Sequence, residues 1–477
     1  MKKNTWRKQH KFWGIALSFF VVMFAASGII LNHRGTFAKV NVGRQLLPAY
    51  QFSKWNLGLL RGTLPIDSAR TLIYGSAGMW MNNGDSTTDF NQGLPEYADF
   101  RLVRNVALMP DSTLFAAAQY GLYSRHAKDD EWREVDALRL NGERLSDVAS
   151  LGDSLIVVSR DRIYLSLPPY KSFSPMEMPP GSDYDGKVSL FRVMMLLHSG
   201  QMFGTPGKLF LDLIGVIFIV LSISGLVRWL LPKTAFSFKQ KVMRINFSIH
   251  NKVGVYAIIV LLLVTISGWM LRPPLLIPLA LNKMKGISGT EIDPNRAWHD
   301  KLRTFRYDAQ FGDWLLSTSD GFYVLPQDLK GVAQALDRAP HVSVMGVNVM
   351  HKNAEGEWLV GSLSGMWKWN RQTGRCIDYF TSEPMPEKAG PPFGAMPVAG
   401  YSADFAQLIV ADYDEGTDAL PQPDDLRNLP MSLWQLALEI HTGRIYNLFG
   451  LAPLIWIFLA GAVVIWLLVS GWKMRRK

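Results

Sequence analysis

The sequence predicts an α-helical membrane bundle of four transmembrane helices in two parallel halves, with a β-rich, propeller-like outer domain. Three observations carry this expectation. Four apolar runs, Phe12–Leu31, Leu209–Val227, Val253–Leu271 and Phe449–Val469, are each close to the roughly 20 residues that a hydrocarbon core demands. One signature occurs twice at identical spacing: His10-x-x-x-Gly14 with Ser27-Gly28, and His250-x-x-x-Gly254 with Ser267-Gly268. Between the runs lie two long segments in which a strand–turn–strand unit recurs.

Each apolar run is justified by its flanks. Lys2, Lys3, Arg7, Lys8 and Lys11 precede the first; Arg228, Lys233, Lys239, Lys241, Arg244 and Lys252 fill the short loop between the second and third. Lys473, Arg475, Arg476 and Lys477 follow the fourth. With four spans these stretches share one side, which the positive-inside rule makes cytoplasmic. Both termini are then cytoplasmic, and Arg34–Gly207 and Arg272–Leu448 lie outside. The net charge of +10 is therefore spent on topology, and no nucleic-acid partner is expected; the partner is the lipid bilayer. Ala25-Ala26-Ser27 resembles a signal-peptide cleavage region. The match of Ser27-Gly28 to Ser267-Gly268 predicts a retained helix instead. Cys376 is the single cysteine, which excludes an internal disulfide and cysteine-based metal sites.

The outer segments read as β structure. The units Leu72–Trp80, Leu114–Tyr123, Leu155–Tyr164, Leu315–Tyr323 and Leu359–Trp367 each hold an apolar strand, a turn and a second strand opening apolar–aromatic. Their starts are 42, 41 and 44 residues apart within each segment, the period of a propeller blade. Ordinary hairpins in two small domains are the simpler alternative. Trp358, Trp367 and Trp369 are expected as strand residues of the core. Pro273, Pro274 and Pro278 prevent Pro273–Ala280 from continuing the third span as a regular helix.

The chemistry rests on histidines. His198-Ser-Gly-x-x-Phe203 is matched by His441-Thr-Gly-x-x-Tyr446, each before an apolar run. Paired histidines at corresponding places in a duplicated bundle suit bis-His ligation of haem iron. His10 with His250 forms the expected inner pair, and His198 with His441 the outer pair. On a helix, His10, Gly14 and Gly28 share a face, as do His250, Gly254 and Gly268. Such glycines leave a bare patch for a flat macrocycle, or let helices approach closely. His33 has no counterpart in the repeat. It is an outer ligand, a propionate or iron contact, or an interfacial polar residue. Arg34, Arg272 and Arg444 suit haem propionates or snorkelling at the interface. Asp212 pairs with Lys208, or serves a proton or gating role. His126, His299, His341 and His351 lack partners at ligand spacing. No dinucleotide fingerprint or Walker motif is present, so the electron donor is a quinol, another protein or a diffusible reductant.

On the residues His10-Lys-Phe-Trp-Gly14, His198-Ser-Gly-Gln-Met-Phe-Gly204-Thr-Pro-Gly207, Ser224-Gly225-Leu-Val-Arg-Trp229 and His250-Asn-Lys-Val-Gly254, with Ser27-Gly28 and Ser267-Gly268, the chain resembles the PepSY-associated transmembrane family of bacterial inner-membrane proteins. The resemblance covers the spans, about a quarter of the chain. Some members are di-haem ferric-siderophore reductases. The resemblance thus implies two haems, with His10, His198, His250 and His441 as iron ligands. No PepSY motif is visible in either outer segment.

The expected organisation is 1–33 tail and first span, 34–190 β-rich segment, 191–231 outer His motif and second span, 232–249 cytoplasmic loop, 250–272 third span, 273–430 second β-rich segment, and 431–477 outer His motif, fourth span and basic tail. The expected function is electron transfer across the inner membrane to a periplasmic ferric chelate. Without Cys-x-x-Cys-His, the haems are b-type. The alternative is a non-enzymatic membrane-anchored sensing or interaction protein.

Overall fold

The computed structural model describes residues 3–45, 47–138, 140, 142–234, 237–343, 345–387, 394–445 and 452–474. Two compact units emerge: Met1–Val40, Gly186–Arg296 and Leu433–Lys477 form one, Asn41–Asp185 and Ala297–Ser432 the other.

The first unit is helical: α1 (Lys3–Asn32), α2 (Arg34–Phe37), α3 (Leu190–Ser199), α4 (Gly204–Leu230), α5 (Lys239–Tyr256), α6 (Ile258–Met270), α7 (Leu276–Leu281), α8 (Leu433–Thr442) and α9 (Ala452–Lys473). Among the described residues three helices are long and apolar enough to cross a membrane: Lys3–Asn32, Gln201–Lys233 and Ile455–Lys473. The expected third span, Val253–Leu271, is not one straight helix. α5 and α6 meet the same test only together, bent by 66°. The pivot is Ala257, where hydrogen bonds persist on both sides: Ala257 N to Val253 O at 3.0 Å and Leu261 N to Ala257 O at 2.9 Å. No proline marks this bend, so hydropathy alone gave no sign of it. Of the expected fourth span, Phe449, Gly450 and Leu451 lie outside the described residues, as do Tyr446 of the outer motif and the basic residues Arg475, Arg476 and Lys477.

α1 packs on α4, α8 and α9; α4 packs on α5, α6 on α9, and α3 on α6. The His-[Ser/Thr]-Gly motif acquires a structural meaning here. His198 and His441 sit in the last turns of α3 and α8. Gly200 and Gly443 follow with φ of 74° and 80°, the left-handed conformation that ends a helix and suits glycine. Beyond α6 the proline-rich stretch turns and forms only the short α7.

Among the described residues the second unit holds a two-stranded pair of Asn41–Val42 with Met431–Ser432, five four-stranded antiparallel meanders and one hairpin. The first strands of the meanders are Gly62–Pro65, Val103–Leu108, Leu145–Leu151, Leu302–Asp308, Val347–Lys352 and, in the hairpin, Val398–Ser402. The five recurring sequence units are the central hairpins of the five meanders, with Ile73 opposite Trp80 and Val360 opposite Trp367. First strands touch in succession along the chain, and Val398–Ser402 touches Gly62–Pro65. An apolar cluster fills each gap between neighbouring sheets. Leu72 and Tyr74 point to one such cluster with Val106 and Leu114, while Ile73 points to the other with Trp55 and Ile409. Period-2 alternation with both faces buried explains why these strands read as continuous apolar runs. Trp358 and Trp369 are core residues as expected, 3% and 1% exposed.

Candidate cofactor site

The helical unit brings the four predicted histidines together as two pairs. The His10 and His250 rings have centroids 6.2 Å apart, and those of His198 and His441 stand 6.1 Å apart. A metal–imidazole bond is about 2 Å, so two rings sharing one iron through Nε2 stand roughly 6 Å apart. Ordinary edge contacts between rings fall in the same range. The discriminating observation is therefore what holds each ring.

Every ring is clasped by a Ser-Gly pair on a neighbouring helix. Ser470 Oγ lies 3.1 Å from His10 Nδ1, Ser224 Oγ 2.8 Å from His250 Nδ1, Ser267 Oγ 3.2 Å from His198 Nδ1, and Ser27 Oγ 3.1 Å from His441 Nδ1. Each serine already donates its only proton to the carbonyl three residues earlier: Leu467, Leu221, Val264 and Phe24, at 2.8, 3.0, 2.9 and 3.0 Å. The serine oxygen is thus the acceptor, and Nδ1 carries the imidazole proton. Carbonyls of Leu467 and Phe24 reinforce this at 3.1 Å from His10 and His441 Nδ1. The tautomer leaves Nε2 with its lone pair, and among the described residues each ring's hydrogen bonds run through Nδ1. A hydrogen-bonded far nitrogen is the arrangement that orients metal-bound histidines.

The glycines explain the close seating. A Cβ on Gly471, Gly225, Gly268 or Gly28 would stand 3.0, 3.7, 2.6 or 3.3 Å from Cε1 of the same histidine that the preceding serine holds. Gly28 and Gly268 therefore cradle the outer histidines. Gly14 and Gly254 face Leu467 and Leu221 instead, 3.6 Å from where a Cβ would be, as helix-packing glycines do.

Other expected site residues have partners of their own. His33 Nε2 meets Asp212 Oδ2 at 2.7 Å, and Asn32 Nδ2 donates to Asp212 Oδ1 at 2.9 Å. Asp212 is thus held by His33 and Asn32 rather than by Lys208. Among the described residues no hydrogen bond or ring contact joins His33 to either pair. Arg272 donates to the His441 and Thr442 carbonyls at 2.7 and 2.8 Å, placing positive charge at the C-terminus of α8. Arg444 pairs with Glu439 at 2.6 Å, and Arg34 lies 3.6 Å over the Trp434 ring. In the β-rich unit His299 pairs with Asp161. Among the described residues no group of three or more His, Cys, Asp or Glu could hold a bare metal ion.

Sequence reading missed the roles of Ser224 and Ser470. Ser27 and Ser267 follow His10 and His250 at one spacing, but Ser224 and Ser470 follow His198 and His441 at 26 and 29 residues, so the second pair does not align. A usable signal was present: the first three apolar runs each carry one Ser-Gly, and Ser470-Gly471 directly follows the fourth.

No curated protein matches the chain. Among solved structures it is similar to the extracellular domains of two putative hybrid two-component systems of B. thetaiotaomicron. Identities are 11% and 8%, over 75% and 76% of this chain and 32% and 39% of theirs, with TM-scores of 0.37 and 0.36. It is also similar to dihydro-heme d1 dehydrogenase NirN in complex with DHE, at 10% identity over 76% of this chain and 56% of that one, TM-score 0.29. The chain thus spans about a third of the first of these structures. At such scores the function must be argued from the site. The PepSY-associated TM region matches twice, over residues 1–231 and 166–476, and the protein belongs to that family.

Proposed function

We propose that the protein is an inner-membrane di-haem electron carrier that reduces a ferric chelate on the periplasmic side during iron uptake. The observation that carries the reading is the fourfold clasp: four imidazoles in two pairs, each with Nδ1 tied to a serine and, among the described residues, no hydrogen bond at Nε2. His10 and His250 would hold one b-type haem, and His198 and His441 the other. Bound haem supplies one-electron chemistry at a potential set by ligands and burial.

The chain's own residues do the rest. Ser27, Ser224, Ser267 and Ser470 fix the tautomer and direction of each ring. The matching glycines let the rings seat against their helices. Apolar helices keep water away, with α1, α4, α9 and the bent α5–α6 pair as the four-helix bundle. Arg272, and with it Arg34 and Arg444, would place positive charge near the outer pair. The meanders, read as a propeller-like periplasmic domain, would bind the acceptor or a partner. Both termini lie in the cytoplasm in this reading, and the electron donor is a quinol or a protein.

The test is the visible spectrum of the purified protein, with haem counted by pyridine haemochromogen. A Soret band, a sharp reduced α-band and two haems per chain are expected. A colourless protein that takes up no added haem overturns the reading and leaves a membrane-anchored sensing module.

A further inference from the structure

The β-rich unit holds a polar cavity of about 220 Å³ where the first strands of its meanders converge. Its lining includes the charged Arg61, Arg104, Arg306, Asp147 and Asp404, with His351, Tyr74 and Tyr401 beside them. Three arginines thus face two aspartates, and one aspartate is already consumed. Asp147 is 2% exposed; it accepts from Val148 N at 2.9 Å, Phe305 N at 2.7 Å and Arg306 Nη1 at 2.5 Å. Asp404 is exposed and accepts from Thr63 Oγ1.

Arg306 is the informative residue. Its Nη1 is pinned by Asp147 and by the Phe305 carbonyl at 2.7 Å. Among the described residues its Nε and Nη2 have no acceptor. These atoms form the side-on edge of the guanidinium, the edge that grips an oxyanion through two parallel N–H bonds. Pinning Nη1 fixes the direction of that edge in advance. Arg61 adds charge: it donates to the Arg104 and Val347 carbonyls and to Asn348 Oδ1, at 3.1, 2.9 and 2.9 Å, and pairs with no carboxylate among the described residues. The His351 ring lies 5.1 Å from that of Tyr401, tilted by 47°, and its nitrogens have no hydrogen-bond partner among the described residues. Burial lowers its pKa from the ordinary histidine value.

We propose that this cavity binds a small oxyanion, a carboxylate or a phosphate, seated on Nε and Nη2 of Arg306 with Arg61 countering its charge. Its volume lies below the roughly 300–1,000 Å³ of drug-sized pockets, so it suits a compact anion and not a bulky iron chelate. The site is therefore separate from the proposed electron acceptor, and it stands whether or not haem is bound. The competing reading makes the arginines structural struts only, since Arg61 alone ties the first meander to the second and fifth.

The test is equilibrium dialysis of the full chain in detergent at fixed ionic strength, with labelled citrate and labelled inorganic phosphate. Saturable binding of at least one probe at one site per chain is expected. Citrate alone would identify a carboxylate ligand, phosphate alone a phosphate group, and both a general oxyanion site. Arg306→Lys keeps the ion pair with Asp147 but removes the two-pronged edge. It should fold like the parent by thermal unfolding and bind roughly tenfold more weakly or worse. Asp404→Asn, which removes rim negative charge, should bind more tightly. Absence of saturable binding of both probes, or unchanged binding by Arg306→Lys, overturns the proposal and leaves the arginines as struts.

Discussion

Ser470 Oγ gives its proton to the Leu467 carbonyl at 2.8 Å and stands 3.1 Å from His10 Nδ1, so the imidazole has to be the donor between them. The same relation holds at Ser224, Ser267 and Ser27. It also crosses between the two halves of the duplicated chain every time. His10 and His198 belong to the first half, α1 to α4, and are held from α9 and α6. His250 and His441 belong to the second half and are held from α4 and α1. Neither half can orient its own histidines alone, and this gives duplication a physical role beyond doubling the histidines.

The serines set direction, so removing one should weaken a haem without abolishing its ligands. Ser470→Ala and Ser224→Ala should each lower affinity for one haem by about 10–100-fold, the usual cost of losing a group behind a metal ligand. Titration of haem into stripped protein measures this. Gly268→Ala should be worse than either, because its Cβ would lie 2.6 Å from His198 Cε1. Equal affinity in all three variants would remove the clasp from the account.

Single ligand variants should sort into two classes. His10→Ala or His250→Ala should lose one haem, and His198→Ala or His441→Ala the other, each leaving about half the parent content if both axial ligands are needed. Double variants separate the classes. His10→Ala with His250→Ala should retain one haem, whereas His10→Ala with His198→Ala should retain none. Unchanged haem in all four single variants would sink the assignment.

The pairing was legible because histidine is rare and the repeat preserved its spacing. Five β-hairpins were legible because each has a short turn between apolar strands. The sixth, Val398–Ser402 with Ile409–Asp412, was not: its six-residue loop and small residues carry no such signal. The bend at Ala257 escaped because hydropathy sums composition and ignores direction. Helical spacing offers Lys208 as one partner for Asp212; in space His33 and Asn32, 179 and 180 residues away, reach it. Local periodicity finds which residues face inward, and it is silent on which distant helix they meet.

His33 separates from the other histidines by its partner. His33→Ala should leave haem content and spectrum unchanged. It should lower the thermal midpoint, since Asp212 loses the nearer of its two partners, at 2.7 Å, and keeps only Asn32, a loss of about 1–3 kcal/mol for a sheltered group. A high-spin or missing outer haem would instead make His33 a ligand.

Acid stability should report on Asp308. It is fully buried and receives Lys352 Nζ at 2.5 Å, Arg371 Nη1 at 2.7 Å and Trp358 Nε1 at 2.9 Å. Burial alone would raise its pKa, but these donors outweigh burial and hold it below the usual carboxylate value. A depressed folded pKa contributes stability that is complete above the unfolded value of about 3.9 and is lost as pH falls through the folded value. Between pH 7 and 5 Asp308 should therefore add no pH dependence, with loss setting in below about pH 4. Asp308→Ala should cost about 3–5 kcal/mol at neutral pH by removing the carboxylate of Lys352 and leaving Arg371 with Asp313 alone, and should flatten the acid limb of the stability curve. An acid limb identical to the parent's would show that other carboxylates set it.

The direction of electron flow is the sharpest consequence of the proposed function. Arg272 sits on the His441 carbonyl at 2.7 Å, so positive charge accompanies the outer pair. An anionic ferric chelate would be drawn toward that end, and encounter would quicken accordingly. Screening shortens to ~8 Å near physiological ionic strength, so the rate should fall as salt rises. Arg272→Gln should slow the reaction at low salt and weaken its salt dependence. Stopped-flow reoxidation of reduced protein in proteoliposomes of known orientation measures all three. Chelate added on the side of the outer pair should reoxidise the haems, and chelate on the other side should not. If ferric chelates leave the reduced spectrum unchanged over minutes from either side, the electron carrier serves a different acceptor and the iron-uptake assignment fails, while the haem ligands stand on their own test.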